Sequence, residues 1–193
     1  MSVAALVIVI HQIVFQSMFF AKNILLRRRL RMPIRGENRE AQRSVGFIVL
    51  FILCSVLLSL FDAPFGTVDL LGRSTALTSA LALLAVNLLV GAASLVALGD
   101  SWRVGVVEDQ QTELVEKGIY RFSRNPYFLA YLIMFAAYTI LLQSVVLLVL
   151  SLVGFTMIHA MVLKEEKHLA ALHGKTYRRY QERVPRYVLF RST

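Results

Sequence analysis

The sequence predicts an all-α integral membrane protein of five transmembrane helices, with its N-terminus outside and a cytoplasmic, interfacial helix at its C-terminus. Three observations predict it. Hydrophobic residues make up 57% of the 193 and charged residues only 17%, at a mean hydropathy of +0.63; that is too apolar for a soluble globule and the opposite of a disordered chain. Apolar runs long enough to cross a bilayer, roughly 20 residues of helix, recur along the chain. The basic residues then fall almost entirely on one side of a five-helix weave.

The first run, residues 3–26, is broken only by His11, Gln12, Gln16, Ser17, Lys22 and Asn23. It has no basic n-region and its arginines follow it, so it reads as a retained helix rather than a secretory signal. The second run is 44–61 and the third 76–98. Asp62-Ala63-Pro64-Phe65-Gly66 and residues 69–75 read as a short external loop. Residues 126–163 are too long for one span and suit a helical hairpin turning at Gln143-Ser144. Lone helices in lipid have no other way to satisfy their backbones, which keeps the reading all-α. Seven arginines lie between the first two helices, four basic residues between the third and fourth, and eight in the tail, with Arg73 alone opposite. The positive-inside rule puts that basic side in the cytoplasm. The tail, 164–193, carries Leu169, Leu172, Tyr177, Tyr180 and Val184 at helical spacing among Lys and Arg, the pattern of a helix at a membrane interface. Residues 1–98 form a three-helix membrane part and 99–193 a loop, hairpin and amphipathic segment, within one integrated domain.

Polar residues concentrate in two segments on the basic side. Residues 99–125 are longer than a connection needs. At their end Asn125 suits an N-cap and Pro126 the first helical position. The free amides and dipole of that helix start, with Arg124 beside it, make a seat for a carboxylate or phosphate; an ordinary helix start with an interfacial arginine fits the residues equally. Glu165 and Glu166 close the fifth helix, where dipole and mutual repulsion ask for a cation. Neighbouring lysines and arginines could answer, as could a ligand bearing an ammonium, a sulfonium or ribose hydroxyls.

Other chemistries are poorly served. Glu165-x-x-His168 has no second copy to make a di-iron site. His159, Glu166 and His173 stand about 10 Å apart in succession along a helix, too far for one metal ion. The single cysteine, Cys54, excludes an intramolecular disulfide and reads as a small core residue. His11 and His159 within spans are functional candidates, although a helix–helix hydrogen bond explains either as well. No phosphate loop or soluble basic domain points to nucleic acid, and no metal is expected.

Taken in order, Gly118-Ile-Tyr120-Arg-Phe-Ser-Arg124-Asn125-Pro126, the hairpin, Glu165-Glu166 and Gly174-x-x-Tyr177-x-x-Tyr180-x-x-Arg183-Val184-Pro185 resemble the isoprenylcysteine carboxyl methyltransferase family, related to the membrane phospholipid N-methyltransferases. The match covers residues 98–187, about half the chain. The resemblance implies a multi-pass membrane enzyme, its active site on the cytoplasmic face, that uses S-adenosylmethionine and releases S-adenosylhomocysteine. Its lipophilic acceptor would enter from the bilayer. It implies a cofactor site of Thr112, Glu113, Leu114, Val115, Tyr120, Arg124, Asn125 and Pro126, with Gly105 at a further position and Glu165, beside Glu166, from the fifth helix. No catalytic residue follows from it. The sequence departs from the family at Phe128 and His173, and at Met161, where eukaryotic members place the arginine that holds the substrate carboxylate. Met161 and His159 are therefore the positions facing the substrate, with Arg121, Lys164 or His159 as candidates to replace the missing charge. The acceptor class implied is the carboxylate or thiol of a prenyl or lipid-like molecule. The alternatives are a phospholipid amine, or a non-catalytic lipid-binding or scaffold protein that keeps the fold.

Overall fold

The computed structural model describes residues 2–30, 39–60, 66–102 and 114–188. Among them every regular element is helical: α1 (Val3–Leu30), α2 (Arg39–Leu60), α3 (Arg73–Leu98), α4 (Pro126–Leu142), α5 (Val145–His173) and α6 (Lys175–Arg183), with 3-10 turns at Gly99–Ser101 and Gly118–Arg121. Four helices are long and apolar enough to cross a membrane, Val3–Arg29, Gln42–Leu60, Arg73–Ser101 and Val145–His173. The expected fifth crossing falls to α4, an apolar helix of 17 residues, shorter than the usual span. Large apolar side chains such as Phe20, Leu89 and Val96 face outward, as lipid contact requires and water would not favour.

Two elements depart from expectation. The fifth helix does not stop near Leu163 but runs to His173, so Glu165 and Glu166 lie two turns inside it rather than at its end. The tail is correspondingly not one amphipathic helix. Its first turns continue α5, and Gly174, at φ +51° and ψ −120°, breaks the path before α6. Only glycine takes that backbone conformation at little cost. α6 then buries Tyr177, Tyr180 and Val184 against Leu114, Leu169 and Ala170.

The core joins all five long helices, α2 contributing the fully buried Phe51. Where α4 meets α5, Gly154 lets Phe135 and Phe47 approach so closely that an added Cβ would stand 2.5 Å from one ring and 2.8 Å from the other. Deeper in, a polar network crosses three helices. The His11 ring of α1 bonds the Tyr138 hydroxyl of α4 at 2.7 Å and the Asn87 side-chain oxygen of α3 at 2.8 Å. Asn87 donates to the Ala130 carbonyl at 2.6 Å, and Gln12 donates to the Tyr138 hydroxyl at 2.8 Å. These polar groups find partners in neighbouring helices, which is how a bundle in lipid holds them.

The hairpin tip is laced to the loop before α3. Gln143, left-handed at φ +45°, accepts from the Leu70 and Leu71 amides at 2.9 and 2.6 Å and donates to the Leu71 carbonyl at 2.7 Å. Its own carbonyl accepts from Val68, and Val145 donates to Gly66.

Candidate functional site

Helix directions bring the end of α1, the end of α3, the start of α4 and the far turns of α5 to the same end of the bundle. An Arg29–Asp100 ion pair at 3.2 Å ties α1 to the turn after α3, and the Tyr180 hydroxyl donates to the Tyr120 carbonyl at 2.7 Å, tying α6 to the segment before α4. Arg183 pairs with Glu116 at 2.6 Å on the same seam.

At the centre is Glu166. Arg124 approaches it with Nε at 3.2 Å, their side chains only 2% and 5% exposed, and Asn125 donates its amide to Oε1 at 2.9 Å. Arg186 reaches Oε2 with Nε at 3.1 Å and Nη2 at 3.0 Å. Two guanidinium groups and an amide saturate one carboxylate. The same strand of tail is stitched through its backbone: the Arg124 amide donates to Pro185 at 3.0 Å, and Ser123 Oγ and Asn125 Nδ2 donate to the Arg186 carbonyl at 3.1 and 3.3 Å. A buried charge is tolerated only with this degree of pairing.

This arrangement revises two expectations about the helix start. Asn125 occupies the N-cap position and Pro126 the first turn, yet Asn125 makes no side-chain cap bond, because its amide is spent on Glu166. The Arg124 guanidinium likewise meets a carboxylate of the chain itself. The first amides of α4 therefore carry no side-chain cap, and they open beside Tyr120.

Glu165 differs from its neighbour. It is half-buried, and among the described residues it has no hydrogen-bond or ion-pair partner. Its charge reaches Tyr120, whose phenol is pushed well above the ordinary range, first by burial, then by Glu165 and Tyr180. Tyr120 thus stays a hydrogen-bond donor at any working pH. Burial also raises Tyr177 and Tyr180, and Tyr187 to about 12, with Arg186 pulling it down and Glu166 pushing it up. The Tyr177 hydroxyl and His173 Nε2 are buried with no partner among the described residues. Orphaned buried polar atoms of this kind are rare and mark a place for a ligand or water.

Of the other residues named from the sequence, Leu114 packs against the α6 tyrosines and Val115 is half-buried beside it. Gly105, Thr112 and Glu113 lie outside the described residues. Met161, one turn deeper than Glu165 on the same helix face, packs against the main core. His159 bonds the Tyr187 hydroxyl at 3.3 Å and stacks on Phe155. No group of three or more metal-binding side chains occurs among the described residues. Sequence reasoning missed Arg186, His173 and Tyr177. The two adjacent acids signal a need for cations, but nothing in the local pattern singles out Arg186 as one of them.

A partnerless carboxylate, a protonated phenol, uncapped amides and two orphaned polar atoms suit a small zwitterion with hydroxyl groups. A family model described as phospholipid methyltransferase matches residues 75–176, just over half of the chain. No curated protein matches it.

Proposed function

The chain belongs to the phospholipid methyltransferase family, which includes isoprenylcysteine carboxyl methyltransferase-like proteins, and on that premise we propose that it transfers the methyl group of S-adenosylmethionine to a small lipophilic acceptor in the membrane. The observation that carries the reading is the contrast between two adjacent acids: Glu166 is saturated by Arg124, Asn125 and Arg186, while Glu165 stands half-buried beside Tyr120 with no partner among the described residues.

S-adenosylmethionine supplies an electrophilic methyl on a sulfonium. Glu165 takes the cofactor's ammonium or ribose hydroxyls, and the amides opening α4 take its carboxylate. Tyr120, Tyr177 and His173 offer the remaining polar contacts, Leu114 and Val115 form the wall on the loop side, and the family resemblance assigns further cofactor contacts to Gly105, Thr112 and Glu113. Arg124, Asn125 and Pro126 act by fixing the helix start. The Glu166 cluster closes the cleft by tying residues 184–187 over it, so that water is excluded where the methyl moves. By the positive-inside rule this end of the bundle faces the cytoplasm.

A specific observation favours one acceptor class. The position where related enzymes place a carboxylate-holding arginine is Met161, half-buried in apolar contacts, and His159 is engaged by Tyr187. With Met161 in place of that arginine, the site suits a lipid amine better than a prenylcysteine carboxylate. Calorimetric titration with S-adenosylhomocysteine tests the cofactor site; folded protein that fails to bind at millimolar ligand would end the enzyme reading. Methyl transfer from labelled cofactor to a panel of amine, thiol and carboxylate lipids tests the acceptor.

A further inference from the structure

α6 lacks a free apolar face with which to enter a bilayer. Tyr177, Tyr180 and Val184 are buried against Leu114, Leu169 and Ala170, so the stripe that would sink an interfacial helix into lipid is already covered by protein. The opposite face is cationic. Lys175, Arg178 and Arg179 are exposed there, within about 100° of arc, with Glu182 the one acid among them. The segment before α4 extends this surface. The Tyr180–Tyr120 hydrogen bond and the Arg183–Glu116 ion pair fix that segment to α6, and Lys117 and Arg121 are exposed on it, as is Lys167 on the last turns of α5. None of these six cations has an ion pair among the described residues. Phe122, beside Arg121, is 70% exposed, which is costly in water and suits the boundary between headgroups and acyl chains.

Depth agrees with this. Leu163 is the last large apolar side chain exposed on α5. From it to His173 the helix rises about 15 Å, more than one headgroup layer of roughly 5–8 Å. α6 therefore branches off beyond the acyl chains, and long cationic arms are what reach back to the phosphates. We propose that the outer face of α6, together with Lys117, Arg121 and Phe122, docks on the headgroups of anionic phospholipids in the adjacent leaflet. Recognition is by charge, guanidinium and ammonium groups against phosphate, with the Phe122 ring at the boundary and no insertion of α6 itself. A glycerol-headed anionic lipid carries no amine to methylate, so this surface is distinct from the acceptor site, and it does not rest on the methyl-transfer reading.

The test uses the full chain with Cys54→Ala and Thr176→Cys, the latter an exposed position of α6 carrying a bimane label, in phosphatidylcholine nanodiscs. Quenching is compared between phosphatidylglycerol and phosphatidylcholine, each nitroxide-labelled just below the glycerol and added at equal mole fraction. Phosphatidylglycerol is expected to quench about threefold more strongly at low salt. The two should converge in 1 M salt, where the Debye length is about 3 Å. The combined variant Lys175→Gln, Arg178→Gln and Arg179→Gln should lose the preference, whereas Arg28→Gln, an exposed charge at the end of α1, should keep it. Arg179→Gln alone repeats the measurement with a smaller loss if the combined variant does not fold. Equal quenching by both lipids at low salt, or a preference that survives both high salt and the α6 variants, overturns the inference. Stronger quenching by a nitroxide at the chain end than by one below the glycerol also overturns it, because α6 would then be inserted.

Discussion

Asn125 gives its side-chain amide to Glu166 at 2.9 Å across 41 positions of sequence, and so spends on α5 the group that would otherwise cap α4. Removing the acceptor has two consequences at once. Glu166→Ala strands Arg124 and Arg186, and breaking a buried pair in this way costs about 3–5 kcal/mol. Thermal unfolding in detergent should show a large fall, with S-adenosylhomocysteine affinity lost alongside it.

Glu165→Gln should behave in the opposite manner. No described partner is stranded, so the melting temperature should stay close to that of the parent. Cofactor affinity should fall by roughly ten- to a hundredfold, the worth of one charge-assisted contact. A stable variant with unaltered affinity by calorimetry would reassign the cofactor site to other residues.

The three-helix network around His11 predicts non-additivity. His11→Leu and Asn87→Leu each leave a buried partner unsatisfied and should each cost about 1–3 kcal/mol. Because they break the same bond, the double variant should cost clearly less than their sum. Denaturant titration of all four proteins measures the coupling.

Gly154→Ala tests the closest helix approach. The added methyl meets Phe135 and Phe47 well inside contact distance, and overpacking of this kind costs about 1–3 kcal/mol. Gly46→Ala, where nothing stands within 4 Å of the new atom, is the matched control and should be nearly neutral.

Alkali should weaken the fold through its tyrosines. Tyr187 is raised to about 12, chiefly by burial, and an unfolded phenol titrates near 10. A raised folded-state value contributes stability that is complete below about pH 10 and disappears as pH climbs toward 12. Melting temperatures recorded from pH 9 to 12 should fall across that window, and less steeply in Tyr187→Phe.

The all-helical architecture with its long apolar helices was legible because apolar run length is a property of the chain itself. The hairpin turn at Gln143-Ser144 could be read from a run too long for one helix. Helix ends were harder, since Arg27 to Arg29 continue α1 by helical propensity after its apolar run has ended, and α5 continues past Leu163 in the same way. The two glutamates show where sequence reading stops. Neighbours on a helix point about 100° apart, and which of them meets Arg124 is set by the crossing of α4 and α5, which no local pattern encodes. Arg186 lies beyond Pro185 in a segment without periodicity, so its reach to Glu166 is a tertiary fact. The polar residues of α1 were opaque for the same reason: Gln12 and Asn23 read as flaws in a span until the Tyr138 hydroxyl of α4 and the Trp102 indole are set against them.

The lacing of Gln143 bears on how deep the protein sits. A helix of 17 residues rises about 26 Å, a few ångströms less than a typical hydrocarbon slab of about 30 Å. The amides and carbonyls at the tip are answered by residues 66–71, while exposed Asp69, which accepts from Gln143 at 3.5 Å, holds the turn at the water surface. The α4 side of the molecule is therefore matched to a thin bilayer, or thins the one it occupies.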